Sequence, residues 1–194
     1  MWYNITNHLK KEGLGMQELT ELQHMLETSR PICWDALPDI ALYMDQVVSY
    51  LRRQTIGVGE HDDAPMTSAM INNYIKDGLL PRANGKRYSR EHLVYLTAIS
   101  LLKNVLSVKD MKLLLGSEIT PGSEPEFYRG FLERVDTSFN DVARSVDPDI
   151  GEGDLANFAL DLAVVSSATK IACEQVLSIL RKKEAESAAA PEEV

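Results

Sequence analysis

The chain has 194 residues, a formal net charge of -9, 44% hydrophobic and 25% charged residues, enough apolar content for a core of one or two small domains. It has no uninterrupted apolar run of about 18 residues, its first residues lack a signal-peptide pattern, and Cys33 and Cys173 are too few for a disulfide scaffold. These features predict a cytoplasmic protein with buried thiols and no membrane partner. An acidic total also argues against a phosphate-bearing partner, but only if the charge is evenly spread.

It is not. Residues 66–116 carry eight basic and three acidic side chains, a balance of +5, and the remainder sums to -14. A basic segment inside an acidic chain is the asymmetry expected of a nucleic-acid binder.

In chain order, Trp2, Ile5 and Leu9 predict one short helix, and Leu19, Leu22 and Leu26 a second that ends before Pro31. Asp39 is placed as the cap of a helix to Arg53 with Ile40, Met44, Val47 and Leu51 on its apolar face. Residues 54–66 read as a loop with an acidic Glu60-His61-Asp62-Asp63 cluster. Thr67 is an N-cap and Gly78 a C-cap for the helix between them. Asn84-Gly85 is a hairpin turn signal, and Ser89 and Ser107 cap two further helices.

After a Gly/Pro/Ser-rich break, Phe127, Phe131, Val135, Phe139, Val142 and Val146 mark a helical face. The longest helix is expected from about Asp154 to Lys183. In it Leu155, Phe158, Leu162, Val165, Thr169, Ala172, Val176 and Ile179 repeat 3 and 4 apart, a spacing suited to pairing two copies, with all but Thr169 expected at the contact. That helix is expected to pack on residues 125–146 and to contribute to a homodimer. The implied organisation is an N-terminal helical segment (1–38), a central module (39–116), a C-terminal helical region for dimerisation or sensing (117–183) and a flexible acidic tail (184–194).

The central segment reads helix, glycine, hairpin, helix: Met70-Ile71-Asn72-Asn73-Tyr74-Ile75-Lys76-Asp77-Gly78-Leu79-Leu80-Pro81, then Gly85-Lys86-Arg87-Tyr88-Ser89-Arg90. Over residues 66–115 it resembles the winged helix-turn-helix of MerR-type bacterial transcription regulators. It is also similar to a bacterial family known only as a domain of unknown function, with the same Met-Ile-Asn-Asn-Tyr and Lys-Arg-Tyr-Ser-Arg core. The resemblance implies an all-α fold with a small β-hairpin wing, and a transcription regulator that reads double-stranded DNA.

On that reading the capped helix enters the major groove, where Asn suits adenine. Thr67, Ser68, Asn72, Asn73, Tyr74 and Lys76 form its DNA-facing set, and Arg82, Lys86, Arg87, Tyr88 and Arg90 reach phosphates. MerR-type helices carry Arg where this chain has Asn72, and the wing here is one residue shorter. The alternative is a non-enzymatic all-α adaptor that uses the same fold to bind protein. No metal-ligand spacing, phosphate loop or nucleophile elbow is present, so neither enzymatic activity nor a metal or cofactor is expected.

Overall fold

A computed structural model describes residues 17–54, 66–151 and 153–189. The expected first helix and the acidic cluster at Glu60–Asp63 lie outside the described residues. Residues 17–28 form α1, and a 3-10 turn at Trp34–Ala36 follows. The rest of the chain forms α2 (Met44–Arg53), α3 (Ser68–Lys76), α4 (Arg90–Leu102), α5 (Val108–Glu118), α6 (Glu124–Ser145) and α7 (Leu155–Ala189).

The core gathers around α4, whose Leu93, Val94, Leu96, Ala98 and Ile99 are fully buried. Val47 and Leu51 of α2, Ile71 of α3, Met111 and Leu115 of α5 and Tyr128 of α6 close on it. Tyr128 is the largest of the fully buried side chains, and its hydroxyl donates to the Ile32 carbonyl at 2.8 Å. This bond ties the segment before α2 to α6. Arg30 adds a second tie, donating to Asp136 at 2.9 Å and to Asn140 at 3.0 Å while lying over the Phe139 ring.

Burial holds the Tyr50 hydroxyl far above its ordinary range and raises that of Tyr128 to about 12. In the unfolded chain both ionise near pH 10. The folded state therefore retains protons that the unfolded state loses, and stability falls as pH rises from 10 towards 12. The Tyr128 share is on the order of 3 kcal/mol over that window. Urea midpoints at pH 9 and 11.5 should show the fall, and Tyr128→Phe should flatten it; an unchanged midpoint contradicts the assignment.

The all-α class holds, but the expected β-hairpin wing is absent: the described residues contain no β-strand, only two isolated antiparallel pairings, Leu42 with Tyr88 and Asn84 with Arg87. The backbone donors explain why. The amides of Leu79 and Leu80 are already bonded to the Tyr74 carbonyl at 2.9 and 3.1 Å, and Pro81 has no N–H. The segment entering the turn therefore has no ladder donor before Arg82, and in it only Asn84 pairs across the turn. The segment leaving it pairs instead with the stretch before α2, through two 2.8 Å bonds between Leu42 and Tyr88.

That pairing also corrects the start of α2. Residues 39–43 are not helical, Ile40 is 67% exposed, and Tyr43 occupies the N-cap, its N–H bonded to the Gln46 side chain at 2.9 Å. Cys33 is exposed and Cys173 half-buried, so neither is the fully buried thiol expected. Helix α7 continues to Ala189, past the predicted end at Lys183, so the first part of the expected flexible tail is helical.

Helix α7 also docks differently from the expectation. Its C-terminal part packs on α5, not along α6: Leu177 is 3% exposed, Cys173 and Leu180 adjoin the core, Arg181 pairs with Asp110, and Ser117 donates to Glu184. Upstream of Cys173 it projects from the bundle, most of its residues exposed. By length and composition alone, Leu155–Glu186 is long and apolar enough to cross a membrane.

Candidate nucleic-acid interface

Helix α3 is short and held at both ends. Thr67 Oγ1 accepts from the Met70 N–H at 3.2 Å, as an N-cap should. At the other end the Gly78 and Leu79 amides bond to the Ile75 and Tyr74 carbonyls at 3.1 and 2.9 Å. This is the paired closure that places a left-handed residue just beyond the helix, and Gly78 has φ +70°. Lys112 of α5 reaches across to donate to the Asp77 carbonyl at 3.0 Å.

A Cβ on Gly78 would lie 3.1 Å from Lys112 Nζ as well as occupying the left-handed region. Gly78→Ala is therefore expected to cost about 1–2 kcal/mol and to loosen the Lys112 contact. Thermal melting measures it, and a loss below about 0.5 kcal/mol, the range of an ordinary surface substitution, is the contrary result.

Ile71 and Tyr74 turn inward, with Met70 and Ile75 half-buried. Ser68, Asn72, Asn73 and Lys76 are exposed. Ser68, Asn72 and Lys76 are spaced four apart and share one side of the helix. The structure thus brings four of the predicted DNA-facing residues onto one free surface, with Thr67 at its N-terminal edge.

The turn after α3 carries exposed cations at Arg82, Lys86 and Arg87. Gly85 and Lys86 are its central residues, at φ +56° and +67°, and Asn84 and Arg87 exchange hydrogen bonds of 3.1 and 3.0 Å across it. Two successive positive φ values define the tight turn favoured by the chain's twist, a geometry normally filled by Asn or Gly. A lysine here costs roughly 1–2 kcal/mol of backbone strain, so the cation at the tip is kept against the local conformational preference.

Arg87 donates through Nε and Nη2 to Tyr43 Oη at 3.2 and 2.9 Å, with its guanidinium 4.9 Å from that ring's centroid. His92 braces the turn from α4: Nδ1 accepts from the Ser89 N–H at 3.1 Å, and Nε2 lies 3.3 Å from the Arg82 carbonyl. The neutral ring with its proton on Nε2 satisfies both. The ring meets Tyr88 edge-on at 5.6 Å. His92, read from sequence only as a surface neighbour of Glu91, is a bracing residue.

Three predicted contact residues are placed elsewhere. Tyr74 and Tyr88 are 6% and 4% exposed, core positions with little surface for a phosphate. Burial pushes both hydroxyls up, so they remain neutral phenols. Arg90 is half-buried, donating to the Leu37 carbonyl at 3.0 Å and lying 5.2 Å from the Trp34 ring centroid. It secures the segment before α2.

Sequence reasoning missed Tyr43, His92 and Lys112, which position the turn and the end of α3. The His at the third position after the Ser89 cap was a readable signal, since that place in a capping box holds a side chain that reaches back. Among the described residues no group of three His, Cys, Asp or Glu side chains is arranged to hold a metal ion.

Residues 32–131, more than half of the chain, match a domain of unknown function, DUF1836. The chain belongs to this family. The DUF1836 match runs from the segment before α2, through α3, the basic turn, α4 and α5, into the first part of α6, and stops short of α7. No curated protein and no solved structure shows significant similarity to the chain.

Proposed function

We propose that this DUF1836 protein is a regulator that binds double-stranded DNA, with α3 as the base-reading helix and the Arg82–Arg87 turn on the flanking phosphates. The observation that carries this reading is the coincidence of one free polar helix face with the exposed part of the +5 segment, including a lysine held at a strained turn tip. The likeness to MerR-type regulators then extends to the helix, glycine closure and following helix, with a tight turn and no strands. Asn72 and Asn73 offer bidentate partners for adenine, and Lys76, Lys86 and Arg82 neutralise phosphate.

The same reading includes a homodimer through α7. Of the seven residues predicted to pair copies, Val165, Ala172, Val176 and Ile179 are exposed, and Leu155, Phe158 and Leu162 are half-buried. A two-fold pair would read an inverted repeat.

Selection of bound duplexes from a random pool tests the proposal. The expected result is enrichment of an inverted repeat, bound at roughly 10 nM or tighter at physiological salt. Affinity should also fall steeply between about 50 and 200 mM salt. No enrichment at low salt, together with a protein partner that survives nuclease treatment, favours the adaptor reading that the -14 remainder would support.

A further inference from the structure

Two apolar surfaces of this chain stand uncovered, and their chemistry matches. The first is α7, where Leu160, Val164, Val165, Ile171, Val176 and Ile179 are each 55–64% exposed. They span about 30 Å of helix. Monomeric proteins rarely leave contiguous apolar patches beyond a few hundred Å².

The second surface is a cleft of about 560 Å³ bounded by the end of α4, by α5 and by α6. Phe131, Val135 and Phe139 line it from α6, and Leu101, Val105 and Leu114 line it from the other side. This is the α6 face that α7 was expected to cover. In its own chain α7 is committed to α5 through Leu177 and the Arg181–Asp110 pair, and the cleft stays open.

We propose that the cleft of one copy receives the exposed part of α7 from a second copy, and the reverse, so that two chains form a helix-exchanged dimer. The lengths agree: the cleft's lining on α6 runs from Phe127 to Phe139, about 18 Å, close to the roughly 17 Å from Leu160 to Ile171 on the projecting part of α7. The charges are complementary. The cleft carries Arg134 and Glu118, and Arg134 has no ion pair among the described residues. The projecting part of α7 carries Asp161 and Lys170 as opposite-sign partners, both exposed.

Pairing α7 side by side with its twin would cover that helix and leave the cleft open; exchange covers both. A bilayer would cover α7 at the expense of Asp161, Lys170 and Glu174 in hydrocarbon, where charged side chains are costly. The proposal rests on the homodimer part of the reading above and is independent of DNA binding.

Complementation in the full-length chain tests it. One variant disables α7 (Leu160→Asp with Val165→Asp). The other disables the cleft at two exposed lining positions, Val105→Asp with Ser138→Glu. Light scattering should show the wild type as a dimer and each variant alone with at least tenfold weaker association. An equimolar mixture should regain dimers, because a mixed pair keeps one intact helix and one intact cleft.

If the cleft variant dimerises like the wild type, α7 pairs with α7 and the exchange is wrong. If the wild type is monomeric at 100 μM, the homodimer reading fails with it. Wild-type monomers that co-sediment with phosphatidylcholine–phosphatidylglycerol vesicles assign α7 to a membrane and overturn both. Circular dichroism of each variant checks folding. If either is unfolded, cross-linking decides in a background with Cys33 and Cys173 replaced by Ala. Differently tagged chains carrying Val105→Cys and Val165→Cys should form the mixed product under a short bismaleimide, and a product restricted to Val165→Cys with itself overturns the proposal.

Discussion

Reversing Lys76 and Lys86 together to glutamate is expected to weaken duplex binding at least about 100-fold at low salt. Lys76 ends α3 and Lys86 forms the turn tip, and both are exposed. Each change replaces a phosphate attraction with a repulsion, and in a two-fold complex each occurs twice. The slope of log affinity against log salt should shrink by roughly 3 to 4, close to one unit per lost contact. The control is Lys182→Glu with Lys183→Glu, exposed positions near the end of α7. It alters net charge by the same amount and should leave affinity nearly unchanged at physiological salt, where exposed charges beyond about 8 Å are screened. Equal losses in the two double variants would mean that net charge governs binding and that α3 and its turn have no special role.

Tyr128→Ala is expected to remove about 4–6 kcal/mol of stability, from the ring's burial and cavity together with an orphaned carbonyl at Ile32. Domains of this kind hold only about 5–15 kcal/mol in total, so the variant should be partly unfolded at 37 °C. The residue is fully buried, and its hydroxyl makes a direct bond between the segment before α2 and α6, beside those of Arg30. Tyr128→Phe keeps the ring and should cost about 1–2 kcal/mol. Urea denaturation measures both, and a loss under about 2 kcal/mol for the alanine variant removes Tyr128 from its keystone role.

The helices were largely legible because their signals are local. Thr67 and Gly78 bracket α3 by cap chemistry, and the runs of apolar residues in α4 and α6 repeat with the helical period. The turn at 84–87 was legible from Asn84-Gly85, although the positive φ values fall one residue later. The wing was not, because the Tyr74 carbonyl takes the Leu79 and Leu80 amides from the entering strand, a competition with no sequence signature.

Tyr74 and Tyr88 misled for another reason. A tyrosine has an apolar body and a polar tip, so residue type alone does not decide between core and surface. Lys112 meets the end of α3 from a distant part of the chain, and spacing cannot show such a contact. Helix α7 is apolar on nearly every side, and periodicity reports that a face wants cover without naming the surface that supplies it. Leu177, its single strongly buried large side chain, is absent from the set singled out by periodicity.

On α5, two positions two residues apart hold two other helices. Asp110 holds Arg181 of α7, and Lys112 holds the carbonyl of Asp77 at the end of α3. The helix proposed to join copies and the helix proposed to read bases are thus fastened to one crossbar. In a two-fold assembly the distance between the two α3 helices then belongs to the folded chain, as fixed as a caliper setting. Half-sites would have to meet that setting, a whole number of helical turns apart. Five extra base pairs between them, about half a turn, would carry the second half-site to the far side of the duplex, out of reach of a protein with no slack to follow it.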